Sequence, residues 1–124
     1  MIRIIIVDDY EMVRRGLVLL FSSADDIEVV AVGNNGHDAI ALCVAHLPDV
    51  LVLDSQMPLL NGLNAIKHIR QLSAHTRIIV LSSLTEELDS EYVLLAGAHV
   101  HLVKAITGQA IINIIRETVY MPSR

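Results

Sequence analysis

The chain has 124 residues, the size of one domain, and a formal charge of −5, which argues against a nucleic-acid grip of its own because phosphate contacts need a basic face. No run of about 18 apolar residues stands anywhere to span a bilayer, no signal-peptide segment opens the chain, and the single cysteine, Cys43, excludes an internal disulfide. Apolar residues make up 53% and aromatics only 3%, a surplus of Ile, Val, Leu and Ala that suits a buried parallel sheet covered by helices in a soluble, cytoplasmic protein.

Elements follow one another in a regular order. The β-branched run Ile2 to Val7 predicts a strand that ends in Asp8 and Asp9, and Val13, Leu17 and Leu20 predict the helix after it. Ile27 to Val32 reads as a second strand with Gly33 and Gly36 at its exit. Ala39, Leu42, Cys43 and His46 then form a helical stripe closed by Pro48, with Cys43 as a buried structural thiol. Val50 to Leu53 is a third strand running into Asp54 and a Pro and Gly loop, and Leu63, Ile66, Ile69 and Leu72 mark the next helix. Ile78 to Leu81 ends in Ser82 and Ser83, and Leu88, Tyr92 and Leu95 give a helical stripe closed by Gly97. Val100 to Val103 leads into Lys104, and Thr107 and Gly108 precede a last helix carrying Ile111, Ile114 and Ile115.

This alternation argues for an α/β domain with a parallel sheet, right-handed crossovers and helices on both faces. Residues 1–118 make the domain, and residues 119–124, ending "YMPSR", read as the start of a connector or as a C-terminal tail, since Pro122 is unable to extend a helix.

Ligands of an open parallel sheet bind beyond the carboxyl ends of the strands, where the strand order reverses. Those ends carry Asp8 and Asp9, Asp54, Ser82 and Ser83, and Lys104. Carboxylates brought together repel, and a hard divalent cation with oxygen ligands relieves the repulsion, Mg²⁺ being the usual choice beside phosphate. A Lys and a hydroxyl facing the same pocket suit a phosphoryl group, one as a point charge and one as a donor. Asp54, at the head of its loop, is placed to attack phosphorus and form an acyl phosphate. Helix capping would explain one carboxylate but hardly three at one sheet edge.

The motifs "IIIVDDYEMVRRGL", "DVLVLDSQMPLLNGL", "RIIVLSS" and "AGAHVHLVK", in this order and at these intervals, resemble the receiver domain of bacterial two-component response regulators. The resemblance implies a doubly wound, CheY-like and flavodoxin-like (βα)₅ fold with strand order 2-1-3-4-5. It implies Asp54 as phosphoacceptor, with Asp9 binding Mg²⁺ directly, Asp8 acting largely through water and the Gln56 carbonyl as a third protein ligand. Ser82 would be the switch hydroxyl and Lys104 the partner of the phosphoryl group. "VDDYEMVRRGL" and "MPLLNGL" look like the subgroup whose receivers precede a LuxR-type helix-turn-helix, which these residues do not contain. The implied partners are a histidine kinase, a second copy of the chain in a homodimer, and DNA only through the missing domain.

Several positions depart from the family's pattern. His101 stands where Tyr or Phe usually does, three residues before the Lys; an imidazole is smaller and titrates near neutral pH, so coupling through it would be weaker or pH-sensitive. Ala105 replaces a common Pro, Ser83 a common Ala, and Tyr10 a common His. The other histidines, His37, His46, His68, His75 and His99, lack ligand spacing and read as surface or packing residues. The isoleucines of the last helix form a face wider than one buried stripe requires, which points to a partner surface. Rival readings are a small Mg²⁺-dependent phosphatase, a flavodoxin-like cofactor binder, disfavoured by the acidic "DDYEM" where a phosphate loop would lie, and a phosphorylation-independent interaction module.

Overall fold

The β-branched runs become the strands β1 (Ile2–Val7), β2 (Ile27–Gly33), β3 (Val50–Asp54), β4 (Arg77–Ser82) and β5 (Val100–Val103). The helices are α1 (Glu11–Ser22), α2 (Gly36–His46), α3 (Gly62–Leu72), α4 (Ser90–Ala96) and α5 (Gly108–Thr118). This computed structural model describes residues 1–54, 62–82, 90–104 and 106–122, the side chains of residues 62, 63 and 90 apart. Gln56, Met57, Pro58, Ser83, Leu88 and Ala105, for which the sequence raises expectations, lie outside the described residues.

All five strands are parallel, in the order β2-β1-β3-β4-β5, as the resemblance implies. Alternate residues of each inner strand feed two cores. Ile5, Val7, Leu51, Leu53, Ile78 and Val80 pack against α2, α3 and α4, while Ile4, Ile6, Val50, Val52, Ile79 and Leu81 pack against α1 and α5. Each such side chain contributes about 1.5–3 kcal/mol by leaving water, so β3, buried along its whole length, pins the centre of the sheet. Among the described residues no helix is long and apolar enough to cross a membrane.

Local chemistry sets the helix ends. Asn35 caps α2 by accepting the Asp38 N–H at 2.9 Å, and Asp38 returns the favour by accepting the Asn34 N–H at 2.9 Å. Thr107 caps α5 through the Ala110 N–H at 3.2 Å. Gly97 closes α4 at φ +125°, with the Arg70 stem packed so closely that a Cβ there would overlap it.

Two expected apolar faces turn out differently. In α4 it is Val93 that is buried, while Tyr92 is 69% and Leu95 74% exposed, so the Tyr92 and Leu95 stripe is the outer face. In α5 the isoleucines serve the chain's own core: Ile111, Ile112 and Ile115 are buried and Ile114 packs beside them. The width is used because α5 touches the sheet and α1 together, Gly108 lying against Leu20. The argument for a partner surface from the breadth of α5 therefore falls.

Candidate functional site

β1 hydrogen-bonds to β2 on one side and to β3 on the other, so the chain order reverses between β1 and β3 and a crevice opens at their carboxyl ends. Asp8 follows β1 and Asp54 ends β3, which brings their carboxylates to that crevice with Asp9 beside them. Among the described residues these three form a cluster whose ligand-type oxygens all lie within 4.8 Å of one another.

Backbone and side-chain bonds fix Asp8 in particular. Its N–H donates to the Gly33 carbonyl at 3.2 Å, and its Oδ1 accepts the Tyr10 N–H at 3.0 Å, an Asx-type turn that leads the chain into α1. Asp8 and Asp54 are buried, 1% and 4% exposed, whereas Asp9 is exposed.

Lys104 reaches this pair from the far side of the sheet. It leaves the end of β5, two strands from β3 and hence about 10 Å away, and its Nζ lies 3.0 Å from Asp8 Oδ2 and 3.3 Å from Asp54 Oδ1. Partial burial alone would push the ammonium's pKa down; the hydrogen bond to Asp8 and the charges of Asp54 and Asp8 outweigh it, and the net shift is upward. The Tyr10 ring lies over Nζ, 5.9 Å from centroid to nitrogen, within cation–π range.

Ser82 ends β4, between the strands that carry Asp54 and His101. Its carbonyl accepts the Lys104 N–H at 2.8 Å, and its hydroxyl is 2.6 Å from His101 Nε2. His101 is half-buried, with its ring turned in toward Ser82. The structure thus brings together Asp8, Asp9, Asp54 and Lys104, and links His101 to Ser82; Gln56 and Ser83 lie outside the described residues.

The donor set fits a hard divalent cation. It consists of carboxylate oxygens alone, and three carboxylates against the one ammonium of Lys104 leave two negative charges to be met. Asp8 is already engaged by Lys104 and the Tyr10 N–H, while Asp9 is open to solvent.

Sequence reasoning passed over Arg14. Its Nη1 donates to the Asp8 carbonyl at 2.7 Å and braces the turn that aims both acidic residues. The available signal was its place one helical turn after Tyr10, on the side of α1 that faces the end of β1. His99 has a packing role: it is buried, and its Nδ1 accepts the Ile78 N–H at 3.1 Å.

Residues 4–116 match the family model of the response regulator receiver domain. The chain is 36% identical over 124 residues to the response regulator UvrY of Escherichia coli O6:H1, covering all of this chain and 56% of that protein. It is 35% identical over 116 residues to the transcriptional regulatory protein LiaR of Bacillus subtilis, covering 94% of this chain and 55% of that one. A solved two-component response regulator of the LuxR family from Aurantimonas sp. SI85-9A1 superposes with a TM-score of 0.87 at 27% identity, over 94% of this chain and 84% of that one. The chain spans about half the length of the curated relatives it matches. Its motifs, strand order and relatives agree: the chain belongs to the response regulator receiver domain family, with LuxR-family regulators among its relatives.

Proposed function

We propose that this receiver is a phosphorylation switch in which Asp54 is the phosphoacceptor. The observation that carries the reading is Lys104 Nζ, held between the buried carboxylates of Asp8 and Asp54 at the point where strand order reverses. An ammonium fixed there is a ready partner for oxygens of a group attached to Asp54.

In the forward step an Asp54 carboxylate oxygen attacks the phosphorus of a partner histidine kinase's phosphohistidine. A P–O bond forms, the P–N bond breaks, and the electron pair stays on the imidazole nitrogen, which takes up a proton. Lys104 keeps its charge throughout, neutralising the equatorial oxygens, and the Ser82 hydroxyl donates to one of them. Asp8, Asp9 and Asp54 would hold Mg²⁺, with the Gln56 carbonyl expected as a further ligand; the ion supplies charge neutralisation at the phosphoryl oxygens. In the reverse step water attacks phosphorus, the P–O bond to Asp54 breaks, and phosphate leaves with the carboxylate restored.

The rest of the reading is proposed by likeness to the family. Residues 1–118 are the receiver and residues 119–124 begin the connector to a DNA-binding output domain of helix-turn-helix type. The protein works in the cytoplasm as a regulator of transcription, not on a metabolite, and a homodimer would give the tethered domains the symmetry of a palindromic operator. The outer face of α4, with Tyr92 and Leu95 exposed, supports a partner surface better than α5 does.

Intact-mass spectrometry after incubation with acetyl phosphate tests the switch. One phosphoryl adduct that requires Mg²⁺ and is absent from Asp54→Asn is the expected result. No adduct under any condition would reduce the domain to a phosphorylation-independent interaction module.

A further inference from the structure

Asp54 ends β3, Ser82 ends β4 and His101 is the second residue of β5, on three neighbouring strands. In register, Asp54 stands opposite Leu81 on β4, one residue before Ser82, and His101 stands opposite Val80 on β5. Val100 and Leu102, which flank His101, pack into the core under α1 and α5, so the imidazole lies on the other face with Val80 and reaches Ser82 Oγ at 2.6 Å. Ser82 is 4% exposed, so its hydroxyl is held within the protein rather than in bulk water.

A hydroxyl has one proton to give and an imidazole nitrogen either accepts or donates. A neutral ring with its proton on Nδ1 accepts the Ser82 proton at Nε2 and turns it away from Asp54. A ring that has taken a second proton from solvent donates from Nε2 to Ser82 Oγ, and the Ser82 proton is then released toward an acceptor on the Asp54 side. We propose that His101 is a positioning residue that works through Ser82, its protonation state deciding whether the hydroxyl is available to a phosphoryl oxygen. This rests on the reading of Asp54 as the phosphoacceptor and deepens it, because it makes occupancy of Asp54 and proton binding by His101 reciprocal: each favours the other by the same factor.

Charged and titratable groups on the elements around the ring, among the described residues, are Glu91 and Tyr92 on α4, His99 just before β5, Lys104, Asp8, Asp9 and Asp54 at the carboxyl edge, and Arg77 at the opposite end of β4. Ser82→Ala leaves all of them in place and removes the hydroxyl, lowering affinity at every pH by the loss of its bond to the phosphoryl oxygen and abolishing the relay, whereas a direct attraction between imidazolium and phosphoryl group would survive it as a pH slope.

The test is the affinity for beryllofluoride in the presence of Mg²⁺ at pH 8, 7 and 6, with bound fluoride followed by fluorine NMR, in the wild type, His101→Phe and Ser82→Ala. The ratio of wild-type to His101→Phe affinity is expected to rise on the order of three- to tenfold between pH 8 and 6, within the one-proton limit of about tenfold per pH unit. Ser82→Ala should lose this slope, and a residue of purely structural importance would change affinity without changing its slope. A flat ratio, with the bound signal present, overturns the role of His101 and leaves Asp54 as acceptor. A slope retained in Ser82→Ala overturns the relay in favour of charge acting through space. No bound signal in the wild type at any pH removes the reading of Asp54 and this one with it.

Discussion

Replacing Lys104 by methionine keeps most of the stem and removes the charge, which isolates what the ammonium does for the acidic cluster. At an effective dielectric constant near 20, each contact, at 3.0 and 3.3 Å, is attractive by about 5 kcal/mol. Withdrawing the ammonium and two carboxylates from water offsets most of that, and breaking a buried pair by removing one partner costs about 3 kcal/mol. Because the lysine side chain stays 25% exposed, solvent screening reduces the expected loss to about 2 kcal/mol. For a domain of this size that lowers the thermal midpoint by roughly 6–8 °C.

Urea unfolding followed by circular dichroism, with and without Mg²⁺, measures it. The deficit of the variant should be largest without the ion and shrink at saturating Mg²⁺, because a cation bound only to the folded state then meets the same carboxylates. The pH dependence gives a second check with a definite sign. Lys104 is shifted upward from its ordinary 10.5, so its contribution is fully present at neutral pH and is lost as the pH rises through the elevated value; wild type and variant should converge only in strong alkali. A difference below about 0.5 kcal/mol without Mg²⁺, or one that Mg²⁺ leaves unchanged, would refute the idea that Lys104 holds this cluster together.

Arg14→Ala removes the donor that braces the Asp8 carbonyl, worth about 1–2 kcal/mol for a charged hydrogen bond, and should weaken Mg²⁺ binding in a calorimetric titration by roughly threefold to tenfold; unchanged affinity would make the arginine a surface contact only. Arg116 grips Asp26 in a two-pronged pair at 2.9 Å for each contact, and the guanidinium holds the Asp26 carboxyl below its ordinary 3.8. That contribution is present above the ordinary value and lost as pH falls through the lowered one, so the stability of Asp26→Asn should fall less steeply in acid than that of the wild type, as read from unfolding curves between about pH 5 and 2. Burial pushes the Cys43 thiol up to about 12, so a disulfide reagent at pH 8 should label it only as fast as the domain opens; rapid stoichiometric labelling of folded protein would contradict the packing of α2 on the sheet.

The sheet was legible because its inner strands are buried on both faces along most of their length and so read as unbroken apolar runs, and the strand-end polar residues were legible because they interrupt those runs. Asp8, Asp54, Ser82 and Lys104 needed no more than that. The face of α4 was not legible, since Tyr92, Val93, Leu94 and Leu95 offer apolar residues to every direction of a short helix, and only its seating against Ala98 and the sheet selects Val93. Neither was the worth of the α5 isoleucines, because periodicity counts how wide an apolar face is but not how many neighbours it meets. Arg14 escaped notice for a related reason: its partner is a backbone carbonyl, so its place one helical turn after Tyr10 was the sole mark of it in the sequence.

The contact between His101 and Ser82 depends on something more delicate, the pairing register of β4 and β5. Lys104 N–H bonds to the Ser82 carbonyl, and His101 bonds to the Ser82 hydroxyl, so one residue receives the two groups by its main chain and its side chain. A slip of one residue along β5 would turn the imidazole into the α1 and α5 core and bring Leu102 to the site, because side chains alternate faces at each step. The same slip would carry the Lys104 backbone out of line with Ser82 and move its ammonium from the Asp8 and Asp54 pair. β5 has only four residues and lies at the sheet's edge, which makes it a weak keeper of register by hydrogen bonds alone. What holds it is the packing of Val100 and Leu102 into the core beneath α1 and α5, so the burial of two apolar side chains fixes the positions of both the ammonium and the imidazole.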